Sequence, residues 1–220
     1  MMRAAVYYAP AADDPLWRAG TAWLGRDPEA RLGIVQPDIE GLAAATASPR
    51  RYGFHATLKP PMALAHGLDR LIDDVRALAH DMVPFEAPRF TVARLDGFLA
   101  LVEATPSAPL RALADACVVG LDHHRVGESA DLVAKRAVGL DAVGEVYLRR
   151  FGYPYVLERW RFHMTLSERL AVPHPIEAAA RQYFGAACAV PRVIDSVAIY
   201  SESAPGAAFE LITRIPLGAP

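Results

Sequence analysis

The hydrophobic positions of this chain switch between a helical and a strand period, and the order of the switches repeats once. Arg3–Tyr8 reads as a short strand stopped by Pro10. Asp14-Pro15 then opens a helix, with the carboxylate as N-cap and proline in the first turn, where a missing N–H costs nothing. Leu16, Gly20, Trp23 and Leu24 mark its inner face and Gly25 ends it. Residues 26–50 show no period and are broken by Pro28, Gly33, Pro37, Gly41 and Pro49; they are expected as a long loop with one helical turn near 39–45. A strand over 51–59 follows, closed by Pro60-Pro61. Leu68, Leu71, Ile72, Val75, Leu78, Ala79 and Met82 then keep helical spacing up to Pro84. Two strands, 90–95 and 98–102, are joined by Asp96-Gly97, the pair that a two-residue hairpin turn favours.

The second half uses the same order. Ser107 caps a helix carrying Leu110, Leu113, Cys117 and Leu121 inward. Residues 122–140 lack a clear period apart from a helix start at Ser129, and 141–151 are helical up to Gly152. A strand over 158–167, a helix from Pro175 and strands over 193–201 and 208–215 complete the chain. Strand, helix and hairpin thus occur twice, with no linker between the copies. The expected fold class is α+β: one bilobal domain over 1–220, with lobes near 1–105 and 106–220 around a shared groove.

The two copies share more than their order. Phe54-His55-Ala56-Thr57-Leu58 in the first strand is nearly repeated as Phe162-His163-Met164-Thr165-Leu166 in the second. Side chains alternate faces along a strand. His55 and Thr57 therefore share one face while Phe54, Ala56 and Leu58 share the other, and the second copy divides in the same way. Each strand is apolar toward the core and carries an imidazole beside a hydroxyl on its open side. Facing each other across a groove, the two copies would bring two imidazoles and two hydroxyls into one small volume.

Composition narrows what such a groove serves. With 53% hydrophobic and 22% charged residues, 220 residues suffice for a sizeable core. A net charge of −2 argues against a broad grip on the backbone of long nucleic acid, but not against a single small phosphorylated ligand. The two cysteines, Cys117 and Cys188, lie in apolar helical patterns and are expected as free thiols in a reducing compartment. No apolar run reaches membrane-spanning length, and the N-terminal apolar stretch is too short for a signal peptide, so the expected location is cytoplasmic.

Histidine gains or loses a proton near neutral pH unaided. Two of them flanking a phosphodiester can act as base and acid in one turnover, with Thr57 and Thr165 holding the non-bridging oxygens, and no metal or other cofactor is needed. Which histidine is base and which acid is left open. Lys59, two residues past Thr57, and Arg161, two before His163, are assigned as phosphate ligands on the same faces. Tyr52 is a further substrate-binding candidate, reaching the open face only if a bulge intervenes. The adjacent His123-His124 pair is set aside as a metal site, because neighbouring residues point apart and no third ligand has suitable spacing. No glycine-rich phosphate loop is present.

The paired His-x-Thr-Leu motifs resemble those of the 2H phosphoesterase superfamily, which includes 2′,3′-cyclic phosphodiesterases and ligase-like RNA enzymes. Arg51 to Pro61, the Gly152-Tyr153-Pro154-Tyr155 segment, Arg161 to Leu166 and the N-terminal Tyr7-Tyr8-Ala9-Pro10 are similar to a bacterial branch associated with phosphonate use. The resemblance implies two pseudo-symmetric antiparallel sheets with outer helices around a central groove, and catalytic roles for His55, Thr57, His163 and Thr165. It further implies hydrolysis of a small cyclic phosphodiester, such as a phosphoribosyl cyclic phosphate. Two alternatives remain: an enzyme acting on RNA 2′,3′-cyclic ends, and a non-catalytic module that binds a phosphorylated ligand.

Overall fold

The structure, a computed structural model, describes residues 2–172 and 174–218. Seven strands form its main sheet: β1 (Arg3–Tyr8), β2 (Ala56–Ala63), β3 (Phe90–Leu95), β4 (Phe98–Glu103), β5 (Met164–Arg169), β6 (Ser196–Glu202) and β7 (Glu210–Pro216). Their spatial order is β7-β6-β1-β2-β5-β4-β3, and every neighbouring pair is antiparallel. The two motif strands, β2 and β5, lie side by side at the centre. Only one residue pair, Ala56 opposite Met164, joins the β7-β6-β1-β2 half to the β5-β4-β3 half. The two antiparallel halves of this one sheet thus meet along a single rung.

Each motif strand has the hairpin of the other copy in its half of the sheet. The β3–β4 hairpin, which follows the first motif in sequence, pairs with β5. The β6–β7 hairpin, which follows the second, joins β2 through β1. Asp96 (φ 47°) and Gly97 (φ 93°) make the tight β3–β4 turn with both residues left-handed, as their identity predicts.

Local signals set the helix ends. Asp14 accepts from the Leu16 amide at 2.7 Å and opens the helix Pro15–Leu24, which Gly25 closes at φ 75°. Ser107 and Asp141 cap Ala108–Gly120 and Ala142–Phe151 in the same manner. The core faces are those the alternation predicted: Phe54, Ala56, Leu58, Phe162, Met164 and Leu166 are all buried. Pro15–Leu24 lies so close to the first motif that a Cβ on Gly20 would sit 2.2 Å from the Phe54 ring.

Both motif strands begin later than expected. The strand predicted at 51–59 starts at Ala56 and continues through both prolines to Ala63, while residues 51–52 form a turn. The prolines are tolerated because β2 carries extra residues against β1. Ala4 opposes Met62 and Val6 opposes Lys59, so Pro60 and Pro61 together face only Ala5. A bulge releases backbone groups from the ladder, which is where a residue without an N–H can sit. The strand predicted at 158–167 begins at Met164, behind a short 3₁₀ turn at Leu157–Arg159. Residues 26–50 are more ordered than a loop. They contain the paired two-residue strands Arg26–Asp27 and Leu32–Gly33 and the one-turn helices Leu42–Ala45 and Ala47–Arg50.

Replacing Gly20 by alanine forces the Phe54 ring away from the helix. The expected cost is about 1–3 kcal/mol of stability, read as a lower denaturation midpoint with an unchanged slope.

Candidate active site

The Ala56–Met164 rung determines what the motifs face. Continuing the antiparallel register by one residue each way sets Thr57 across from His163 and His55 across from Thr165. Cross-strand neighbours share a face, so all four side chains project into the same opening. Thr57 and His163 line a cavity of about 220 Å³, and His55, Thr57 and Thr165 line an adjoining one of about 310 Å³. Thr57, Pro60, Phe98, Tyr153 and Arg169 belong to both walls, so the cavities are two ends of one cleft.

Each imidazole is held in the same way. His55 Nδ1 lies 2.9 Å from the Gly53 carbonyl, and His163 Nδ1 lies 2.8 Å from the Arg161 carbonyl. A carbonyl oxygen only accepts, so both rings carry their hydrogen on Nδ1 and leave the Nε2 lone pair free. The Thr57 hydroxyl is 3.4 Å from His55 Nε2. Aromatic rings orient the pair: Tyr7 stacks on His55 at 3.7 Å between centroids, and Phe98 lies 5.8 Å from His163.

Gly53 itself is in a left-handed conformation (φ 79°), and a Cβ there would meet the Pro28 ring at 2.7 Å. The turn that presents its carbonyl is anchored by Glu202, a fully buried carboxylate that accepts from Arg3 and, at 3.1 Å, from Arg51. On the other motif strand, the Trp23 indole donates to the Leu166 carbonyl at 2.8 Å. The Trp160 indole donates to the Thr57 carbonyl, also at 2.8 Å, tying the second motif's approach to the first motif.

Burial pushes the His55 imidazole down to about 4, against the opposing effect of its hydrogen bond to Gly53 and with a smaller lowering by His163. His163 is lowered as well, chiefly by burial, partly offset by its bond to the Arg161 carbonyl. Both shifts favour the neutral imidazole in the free protein. A negative charge placed between them favours the imidazolium form of either.

The further candidates separate. Tyr52 lies in the turn before β2 rather than on a strand, and from there it lines the cleft, stacked on Phe209 at 5.2 Å. Arg161 lines the cleft but is ion-paired with Asp96. Lys59 does not join His55 and Thr57. A second bulge, at Leu58, intervenes: Tyr7 opposes Thr57 while the next residue back, Val6, opposes Lys59. The strict two-residue period fails there, and Lys59 turns into the core, 1% exposed. Its ammonium donates to the Val118 carbonyl at 3.0 Å and to Asp122 at 3.2 Å.

Sequence reasoning missed Tyr7 and Arg169. Arg169 ends β5, six residues past His163 and so on the face of His163 and Thr165, and it borders both ends of the cleft. Its signal was present in the period, but the strand was expected to stop at Ser167. Among the described residues it has no carboxylate partner, unlike Arg159 and Arg161 nearby. Residues 26–50 also build the wall: Ser48 and Pro49 line the cleft, and the Ser48 amide donates to Glu168 at 2.8 Å.

Two predictions follow from this geometry. Gly53→Ala should cost about 1–3 kcal/mol through the left-handed backbone and displace the carbonyl that fixes His55; the nitrogen-15 shifts of the His55 ring report the lost tautomer. Because the folded imidazole is harder to protonate than the unfolded one, its contribution to stability is intact above about pH 6.5 and is lost as pH falls toward 4. Between pH 7 and pH 5, wild type should lose roughly 1–2 kcal/mol more than His55→Gln, measured by urea denaturation at each pH.

The chain is similar to known proteins along nearly its whole length. It is 39% identical over 230 residues to ribose 1,5-bisphosphate phosphokinase PhnN of Janthinobacterium sp. (strain Marseille), covering 98% of this chain and 51% of that protein. To the protein of the same name from Laribacter hongkongensis (strain HLHK9) it is 35% identical, covering 96% and 50%. The chain therefore spans about half the length of these curated relatives. Solved structures that align over all or nearly all of both chains include a phosphoesterase (TM-score 0.46, 12% identity) and E. coli LigT complexed with 3′-AMP (TM-score 0.42, 11% identity). The chain belongs to the family described as protein of unknown function DUF1045, whose model matches residues 57–210.

Proposed function

We propose that the chain is a phosphoesterase that hydrolyses a small cyclic phosphodiester by two-histidine acid–base catalysis, without a metal in the cleft. The observation that carries this reading is the pair of imidazoles, each with Nδ1 tied to a backbone carbonyl and Nε2 free, on one face of one sheet. One Nε2 takes a proton from water as the water oxygen bonds to phosphorus. The other ring, protonated once the anionic phosphate lies between them, gives its proton to the departing sugar oxygen as that P–O bond breaks. The product is a phosphomonoester with a free hydroxyl. Thr57 and Thr165 donate to the non-bridging oxygens, where charge builds in the transition state.

The finer proposal is a phosphoribosyl cyclic phosphate, with Arg169 on the second phosphate and Tyr52 and Arg161 at the edge of the site. Three things support it. Arg169 has no carboxylate partner among the described residues. The near-neutral chain has little to offer a long polyanion. The curated relatives are named for a phosphorylated ribose. The phosphokinase activity in that name is not carried over, since only half of each relative is matched and neither lysine here lies in a glycine-rich phosphate loop.

Turnover of a ribose 1,2-cyclic phosphate bearing a 5-phosphate is compared with turnover of 2′,3′-cyclic nucleotides and RNA 2′,3′-cyclic ends. His55→Ala and His163→Ala should each lower kcat by about a thousandfold or more, and Thr57→Val or Thr165→Val by about 10–100-fold. Arg169→Ala should raise KM for the 5-phosphorylated substrate and leave the unphosphorylated analogue unchanged. Preference for RNA ends would replace the substrate assignment. Tight binding of phosphorylated sugars with no turnover of any cyclic phosphate would replace the enzyme with a binding module.

A further inference from the structure

Away from the cleft, the adjacent histidines set aside on sequence converge after all. His123 and His124 lie in the 3₁₀ turn Asp122–His124, where successive side chains are closer to one face than on a strand. His123 Nε2 is 2.9 Å and His124 Nε2 3.0 Å from the same oxygen, Oδ2 of Asp74, on the helix Leu68–His80. The two rings stack obliquely, 4.2 Å between centroids. His124 is completely buried, whereas the His123 side chain is half exposed.

We propose that Asp74, His123 and His124 form a binding site for a divalent transition ion of the zinc type. Two imidazoles and a carboxylate are a donor set that zinc favours. An ion about 2.0–2.1 Å from each ligand requires neighbouring ligand atoms roughly 2.9–3.4 Å apart. Both nitrogen–oxygen edges meet that spacing, and one donor atom from each of the three residues lies within 4.8 Å of the others.

The surroundings leave the three donor atoms open to an ion. Arg70 occupies the other carboxylate oxygen, Oδ1, at 3.2 Å, which orients Asp74 and leaves Oδ2 directed at the rings. His124 Nδ1 has no hydrogen-bond partner among the described residues. An Nδ1 that accepted a hydrogen bond would force the proton onto Nε2 and block coordination; here nothing does. His66 borders the cluster without joining its ligand atoms. Its ring lies 6.0 Å from that of His124, edge-on, and its segment is held there by Ala65 N–H donating to the His124 carbonyl at 2.8 Å and by the Leu64–Arg125 bridge.

The ion would act as a brace. It would cross-link two segments 49 residues apart, and the same turn carries Asp122, the partner of Lys59 on the first motif strand. The effect belongs to stability, since none of these residues lines the cleft.

The test uses tag-free protein stripped with chelator, dialysed, and titrated with Zn2+ by calorimetry, with Co2+ absorption reporting the ligand set. One equivalent should bind, and Tm should rise by roughly 5–10 °C at zinc a hundredfold above Kd. Asp74→Asn and the half-exposed His123→Ala should each weaken binding more than tenfold. His80→Ala, an exposed histidine outside the cluster, should change nothing. Substoichiometric binding by wild type, or equal binding by wild type, Asp74→Asn and His123→Ala, would overturn the site. Loss of binding with turnover of the cleft unaltered keeps this result separate from the fate of the proposed activity.

Discussion

A single rung of sheet, Ala56 opposite Met164, is the constraint on which the rest depends. It joins the central residues of the two motifs, so a local two-fold relation exchanges His55 with His163 and Thr57 with Thr165. Slipping the register by one residue would turn one imidazole into the core and bring Phe54 or Leu58 to the cleft. The surrounding packing opposes that slip. Phe54 is pressed against Gly20 of the first helix, Phe162 stacks on Phe90 at 4.8 Å, and all six apolar motif residues are buried.

The chemistry of the cleft is set by backbone as much as by side chains. Main-chain carbonyls two residues upstream hold both rings in one tautomer, an arrangement that the position of each histidine just before its strand makes possible. Burial then favours the neutral rings and leaves them responsive to an incoming anion. Charge around the opening is largely balanced locally: Arg161 by Asp96 and Arg159 by Asp141. Arg169 stands apart from those pairs and carries the cationic character of both ends of the cleft.

Bulges explain where simple periodicity failed. One extra residue in β2, opposite Ala5, lets Pro60 and Pro61 remain in a strand, and a second, at Leu58, rotates Lys59 from the cleft into a buried pair with Asp122. That burial lowers the lysine's pKa, against the pull of Asp122. Lys59 therefore stiffens the motif strand from behind instead of meeting a ligand. Tyr52 illustrates the converse: assigned to the wrong face of an imagined strand, it reaches the cleft because residues 51–52 turn.

The sequence alone determined the α+β class, the duplicated order, the helix caps at Asp14, Ser107 and Asp141, the Asp96-Gly97 turn and the four motif residues. All of these rest on interactions within a few residues, where composition and period suffice. The tertiary structure decided what depends on distant partners. It exchanged the hairpins between the two halves, stacked Tyr7 on His55 from a strand about fifty residues away, extended β5 to Arg169, and brought Asp74 under His123 and His124. Register, bulges and convergence across the chain are properties of how elements pair, and no local pattern of residues encodes them.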